Sequence, residues 1–179
     1  MSLLLATLLP GLLLIVLGVP LLLNHSAFVA TLKAVPRSTT ATYLFFTAGA
    51  AWFLFNIWHL SPADFGDYRL ILFIAFAAIA VLSFKCVPDF LAVRGLCILM
   101  LVCAAPLLGA AYMEHGHPQR LFMVSLVYLG IALAIWLGAQ PWRLRDFFAW
   151  LFLQPSRTRA LGGLLTAYGL LLSIAAFTY

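Results

Sequence analysis

Residues 2–23 read SLLLATLLPGLLLIVLGVPLLL, and no charged side chain interrupts them. A helix needs about 20 apolar residues to cross the hydrocarbon core of a bilayer, so this stretch is long enough to span by itself. A secretory leader would carry basic residues ahead of a shorter apolar core. Here the first basic residue is Lys33, which predicts a retained transmembrane helix.

The same pattern recurs along the chain. Further apolar runs cover 40–60, 70–86, 89–113, 121–139 and 160–177, so six spans occupy nearly all of the 179 residues as a single membrane domain over 1–179. The composition agrees: 65% of residues are hydrophobic and 8% charged, against about a quarter charged in soluble domains. So few charges cannot coat a globule in water, and the apolar excess must face lipid. The expected fold class is all-α, a polytopic integral membrane helix bundle of about six transmembrane helices with one short interfacial helix.

That interfacial helix is residues 142–153, WRLRDFFAWLFL, between Pro141 and Pro155. It is too short to span, and it sets an aromatic bulk against a polar edge of Arg143, Arg145 and Asp146. Such a segment suits the headgroup plane. Residues 26–35 form a smaller version, with Ser26 as the expected N-cap and Pro36 as the stop. Pro10 and Pro106 should bend the first and fourth spans, because each frees a carbonyl four residues earlier.

Charge sets an expected orientation. Lys33, Arg37, Lys85, Arg94, Arg143, Arg145, Arg157 and Arg159 fall on one side of this topology, and only Arg69 and Arg120 on the other. Lys and Arg accumulate on the cytoplasmic side of membrane proteins. The expectation is therefore a cell inner (plasma) membrane protein with both termini on the outer, periplasmic side. The net charge of +5 follows from orientation and does not indicate nucleic acid, which calls for a solvated basic domain.

Candidate sites are few. Asp89 and Arg94 (PDFLAVRG, 88–95) are the ionisable residues nearest the hydrocarbon, where charge is costly and a paired role is the default. Asp89 is expected at the helix start, where a carboxylate is favoured by the N-terminal amides. One reading is a capped helix start with an arginine snorkelling to the surface. The other is that Arg94, with Arg143 and Arg145, holds an anionic lipid of the inner leaflet or a partner's acidic segment. His59, His115 and His117 gather on the opposite side with Asp64, Asp67 and Glu114. Imidazoles and carboxylates are borderline metal ligands, so these histidines are weak candidates for a metal or haem site; no metal is assigned. Trp52, Asn56 and His59 share one face of the second span, a place for a ring-shaped ligand such as a quinone or pigment. An aromatic belt explains that face equally well. Cys86, Cys97 and Cys103 form no CxxC pair.

Small residues recur four apart: Gly130, Ala134 and Gly138; Gly162 and Thr166; Gly163 and Ala167; Gly169 and Ser173; Ala105 and Gly109. Such stripes let helix backbones approach closely, within the bundle or against another subunit. No GxSxG, HExxH or phosphate-binding glycine loop is present, so no catalytic residue is assigned. The expected function is a non-catalytic membrane subunit packing beside other membrane protein subunits, or with itself, in a larger complex. The alternatives are a small-solute or lipid carrier, with bound lipid as its ligand, and a lipid-modifying membrane enzyme that uses the basic side.

Overall fold

A computed structural model describes residues 1–179, and every regular element in it is helical. Six helices are long and apolar enough to cross a membrane: α1 (Leu3–Leu22), α3 (Thr39–Trp58), α4 (Arg69–Cys86), α5 (Leu91–Ala111), α6 (Arg120–Ala139) and α8 (Pro155–Ala176). Two short helices, α2 (Ser26–Ala34) and α7 (Trp142–Leu151), join them at one end. A backbone in hydrocarbon has no water to bond, so helices that satisfy every amide internally are what such runs can form. The surface is that of a membrane protein. Leu13, Val16, Leu44, Ile71, Val81 and Ile174 are each more than half exposed, an arrangement that water would penalise.

Several boundaries move from the sequence expectation. The last span begins at Pro155 and not at residue 160, because proline is favoured in the first turn, where its missing N–H costs nothing. Ser26 is the first residue of α2, and His25 holds the cap position. Asp89 is not in α5. The helix starts at Leu91, preceded by Phe90 in the left-handed region at φ 56°, so Asp89 sits exposed in the turn before it. Pro10 and Pro106 lie inside α1 and α5, as does Pro20 in α1.

Glycines decide which spans touch most closely. In α1, Gly11 and Gly18 are seven residues apart, as are Gly162 and Gly169 in α8, and seven residues are about two helical turns. The helices run antiparallel, with Gly18 against Gly162 and Gly11 against Gly169. Thr166 and Ser173, on the same seam, turn their hydroxyls back to the Gly162 and Gly169 carbonyls at 2.8 Å each, so no donor is stranded. Parallel α3 and α5 meet in the same way, with Gly95 against the Phe46 backbone and Gly49 against Ile98. The stripe of Gly130, Ala134 and Gly138 in α6 makes only side-chain contact: a Cβ on Gly130 would lie 3.6 Å from the end of Met100.

A core of Leu3, Ala6, Ala104, Ala111, Met123, Val127 and Leu172 ties α1, α5, α6 and α8 together. A smaller cluster of Val93, Cys97 and Ala134 joins α5 to α6, and Leu144 of α7 packs on it. Helix α4 stands apart. None of its residues is buried, and it leans on α3 through aromatic pairs: Tyr43 and Phe46 on Phe84, Phe53 on Phe76, and Trp58 on Phe73.

Candidate functional site

Helices α2 and α7 and the 3-10 turn Val35–Arg37 gather at one end of the bundle, together with the start of α5. The basic residues that the sequence assigns to one side converge there. Most of these cations have no acid to pair with; they lie over aromatic rings instead. Arg37 and Arg145 both address Phe90, with their guanidinium carbons 5.7 and 5.8 Å from its centroid. Lys33 lies 5.6 Å from the Phe152 ring, Arg143 5.8 Å from Trp136, and Arg157 4.5 Å from Trp150. The ring quadrupole attracts the cation's face while leaving the N–H edges of a guanidinium free for an anion. This is how an arginine can stay ordered at the headgroup level without a carboxylate.

The sequence candidates distribute unevenly over this end. Arg145 reaches the start of α5 through Phe90 and also holds Asp146 at 2.7 Å. Arg143 turns away to Trp136 and the Gln140 side chain, 2.9 Å from its Nε. Arg94, half-buried in the first turn of α5, has no ion-pair partner. Leu144 of α7 and Phe90 both pack against the buried cluster of Val93, Cys97 and Ala134, so apolar contact ties α7 to α5 and α6.

Open space lies in two places at this end of the bundle. One cavity, about 340 Å³, is bounded by Arg37, Thr39, Tyr43, Phe84, Asp89 and Phe90. It sits where α3 and α5 begin and α4 ends. A second, about 330 Å³, lies between α2 and the α7–α8 junction, bounded by Asn24, Ser26, Lys33, Phe152 and Thr158. Thr158 is buried at that junction and donates its hydroxyl to the Leu151 carbonyl at 3.2 Å, closing the end of α7. Sequence reasoning counted Arg37 only among the basic residues of that side and passed over Phe90. The signal was a basic residue just before one span and an aromatic just before another, and nothing local says that they meet.

The opposite end is more ordinary. Trp52, Asn56 and His59 are all exposed, and neither cavity includes them. His59 turns its Nδ1 to the Phe55 carbonyl at 2.8 Å, and His115 bonds the Met113 carbonyl at 3.0 Å. His117 packs edge-on against Tyr179. No three His, Cys, Asp or Glu side chains converge as a ligand set. Arg120 donates to the Ala111 carbonyl, closing the end of α5, and Arg69 lies over Trp58.

Fold and surface together define a multi-pass α-helical membrane protein. No protein-family model, no curated protein and no solved structure matches this chain.

Proposed function

We propose that the chain is a non-catalytic subunit of a larger membrane assembly, with its basic end on the cytoplasmic face of a cell inner membrane and both termini outside. The observation that carries the subunit reading is α4: a whole span without one buried residue, attached to the bundle through α3. Elsewhere the spans seal against each other with glycine seams and small-residue packing. A helix that contributes so little to its own fold is accounted for if its outer face packs on another protein. The membrane interior supports the non-catalytic part. Three serine hydroxyls within the spans fold back on their own helix, Ser83 on the Ile79 carbonyl and Ser125 on the Leu121 carbonyl at 2.7 Å and Ser173 on the Gly169 carbonyl at 2.8 Å, while Tyr168 bonds the Phe122 carbonyl of α6. The ionisable side chains lie near helix ends, whereas transporters of polar solutes place charged or unwound groups near the midplane. The orientation rests on the excess of Lys and Arg at one end.

The test is photocrosslinking in native membranes from Ile74 and Ile79, exposed on α4, with Leu13 on α1 as the reference, followed by gentle extraction. Protein adducts from α4, and a partner retained in stoichiometric amount, are the expected result. A chain that crosslinks only to lipid and purifies alone overturns the reading.

A further inference from the structure

Arg37 and Asp89 border the same cavity of about 340 Å³ without pairing to each other; the only ion pair in the molecule joins Arg145 and Asp146. Local structure holds Arg37 and Asp89 apart. Arg37 is drawn to the Phe90 ring at 5.7 Å. Asp89 is carried by the turn that Phe90 ends in the left-handed region, a conformation that a non-glycine residue adopts only when its surroundings impose it. The cavity therefore presents a cation and an anion to whatever enters between them.

We infer that this cavity binds the headgroup of a zwitterionic phospholipid with a primary ammonium, an aminoethyl phosphodiester, with Arg37 on the phosphate and Asp89 on the ammonium. The volume lies at the lower end of the about 300–1,000 Å³ usual for ligand pockets, so it suits a headgroup and not a whole lipid. The depth is right, because α3 and α5 start here and α4 ends here. The N-terminal end of α3, where Thr39 borders the cavity two residues after Arg37, adds the positive end of its dipole on the side of the phosphate. Arg37 keeps its guanidinium edge free for two hydrogen bonds to phosphate oxygens. Tyr43, on the cavity wall, is itself 65% exposed.

The carboxylate and the aromatic walls narrow the choice. An anionic lipid with a glycerol headgroup would satisfy Arg37 and leave Asp89 facing a second negative group. A choline headgroup offers no N–H to Asp89 and would need open aromatic faces around its quaternary ammonium. Tyr43 and Phe84 are stacked on each other, with centroids 5.4 Å apart at 18°, so their inner faces are already taken. A primary ammonium donates hydrogen bonds to the carboxylate and needs no such cage.

The experiment reconstitutes the full chain into nanodiscs containing equal parts of phosphatidylethanolamine, phosphatidylglycerol and phosphatidylcholine, then quantifies the lipids retained after gentle extraction by native mass spectrometry. The native chain should retain the ethanolamine lipid several-fold over the other two. Arg37→Gln should lose that retention, and Asp89→Asn should turn the preference toward phosphatidylglycerol. Both side chains are exposed, so neither change should alter the thermal unfolding of the protein. Three results overturn the inference: the same lipid profile in all three proteins, a preference of the native chain for phosphatidylglycerol, or ethanolamine selectivity kept by Asp89→Asn. Soluble phosphoethanolamine at millimolar concentration should not displace the lipid. If it fills the site and no lipid is retained, the lipid assignment fails.

Discussion

Gly18 of α1 and Gly162 of α8 touch through their backbones: a Cβ on Gly18 would lie 2.9 Å from the Gly162 carbonyl oxygen, and one on Gly162 would lie 2.8 Å from that of Gly18. The first and last spans are thereby closed on each other as tightly as two helices can be, and Gly11 with Gly169 repeats the contact two turns on. In lipid, where apolar association gains nothing from water, this backbone proximity is what holds the pair.

Gly162→Ala should therefore destabilise the protein, while Gly109→Ala should not. Both changes gain the same helix propensity, about 1 kcal/mol. At Gly109 nothing lies within 4 Å of the new methyl group, whereas at Gly162 it meets the Leu22 and Gly18 backbones, which cannot rotate away. Overpacking of this kind costs about 1–3 kcal/mol. Unfolding in detergent, compared between the two variants, checks it; equal stabilities would show that the α1–α8 seam is not tight.

Phe84→Ala should loosen α4 more than Phe76→Ala does. Phe84 engages two rings, Tyr43 stacked at 5.4 Å and Phe46 edge-on at 5.2 Å, and Phe76 engages only Phe53. Each aromatic pair is worth about 0.5–1.5 kcal/mol. Limited proteolysis in the loop before α4 and a disulfide-trapping rate between α3 and α4 read the difference. A larger effect from Phe76→Ala would mean that α4 is anchored at its other end.

Thr158→Val should weaken the α7–α8 corner, and Thr158→Ser should preserve it. The buried hydroxyl donates to the Leu151 carbonyl, and a buried acceptor left without its donor costs about 1–3 kcal/mol. The isosteric valine keeps the packing and removes only the hydrogen bond, so a loss confined to valine in thermal unfolding assigns the effect to that bond.

Cysteines introduced at Arg145 and at Ser156, with exposed Cys86 replaced by Ala, should be labelled from the same side of the membrane. Helix α7 has 10 residues, about 15 Å at ~1.5 Å per residue, against a hydrocarbon core of about 30 Å. Opposite-side labelling would make α7 a crossing and reverse the direction of α8.

The six spans, the short helix between Pro141 and Pro155, and the gathering of Lys and Arg at one end were all legible in the chain itself. Those features depend on the length of apolar runs and on where prolines and charges interrupt them, which are local quantities. The start of α5 was less legible. An aspartate after a proline looks like a helix start, but the turn is completed by Phe90 in a left-handed conformation that propensity disfavours. Pairing was not legible at all. Gly162 and Gly163 are neighbours with the same residue type, yet one meets the Leu22 backbone and the other only the end of that side chain, because about 100° of helical rotation separates them. The meeting of Arg37, Arg145 and Phe90, from three separate elements, likewise arose only when the spans were set side by side. Hydropathy determines that a helix crosses the membrane; the rotation of each helix about its own axis, chosen by the packing of its neighbours, decides which residues come to share a site.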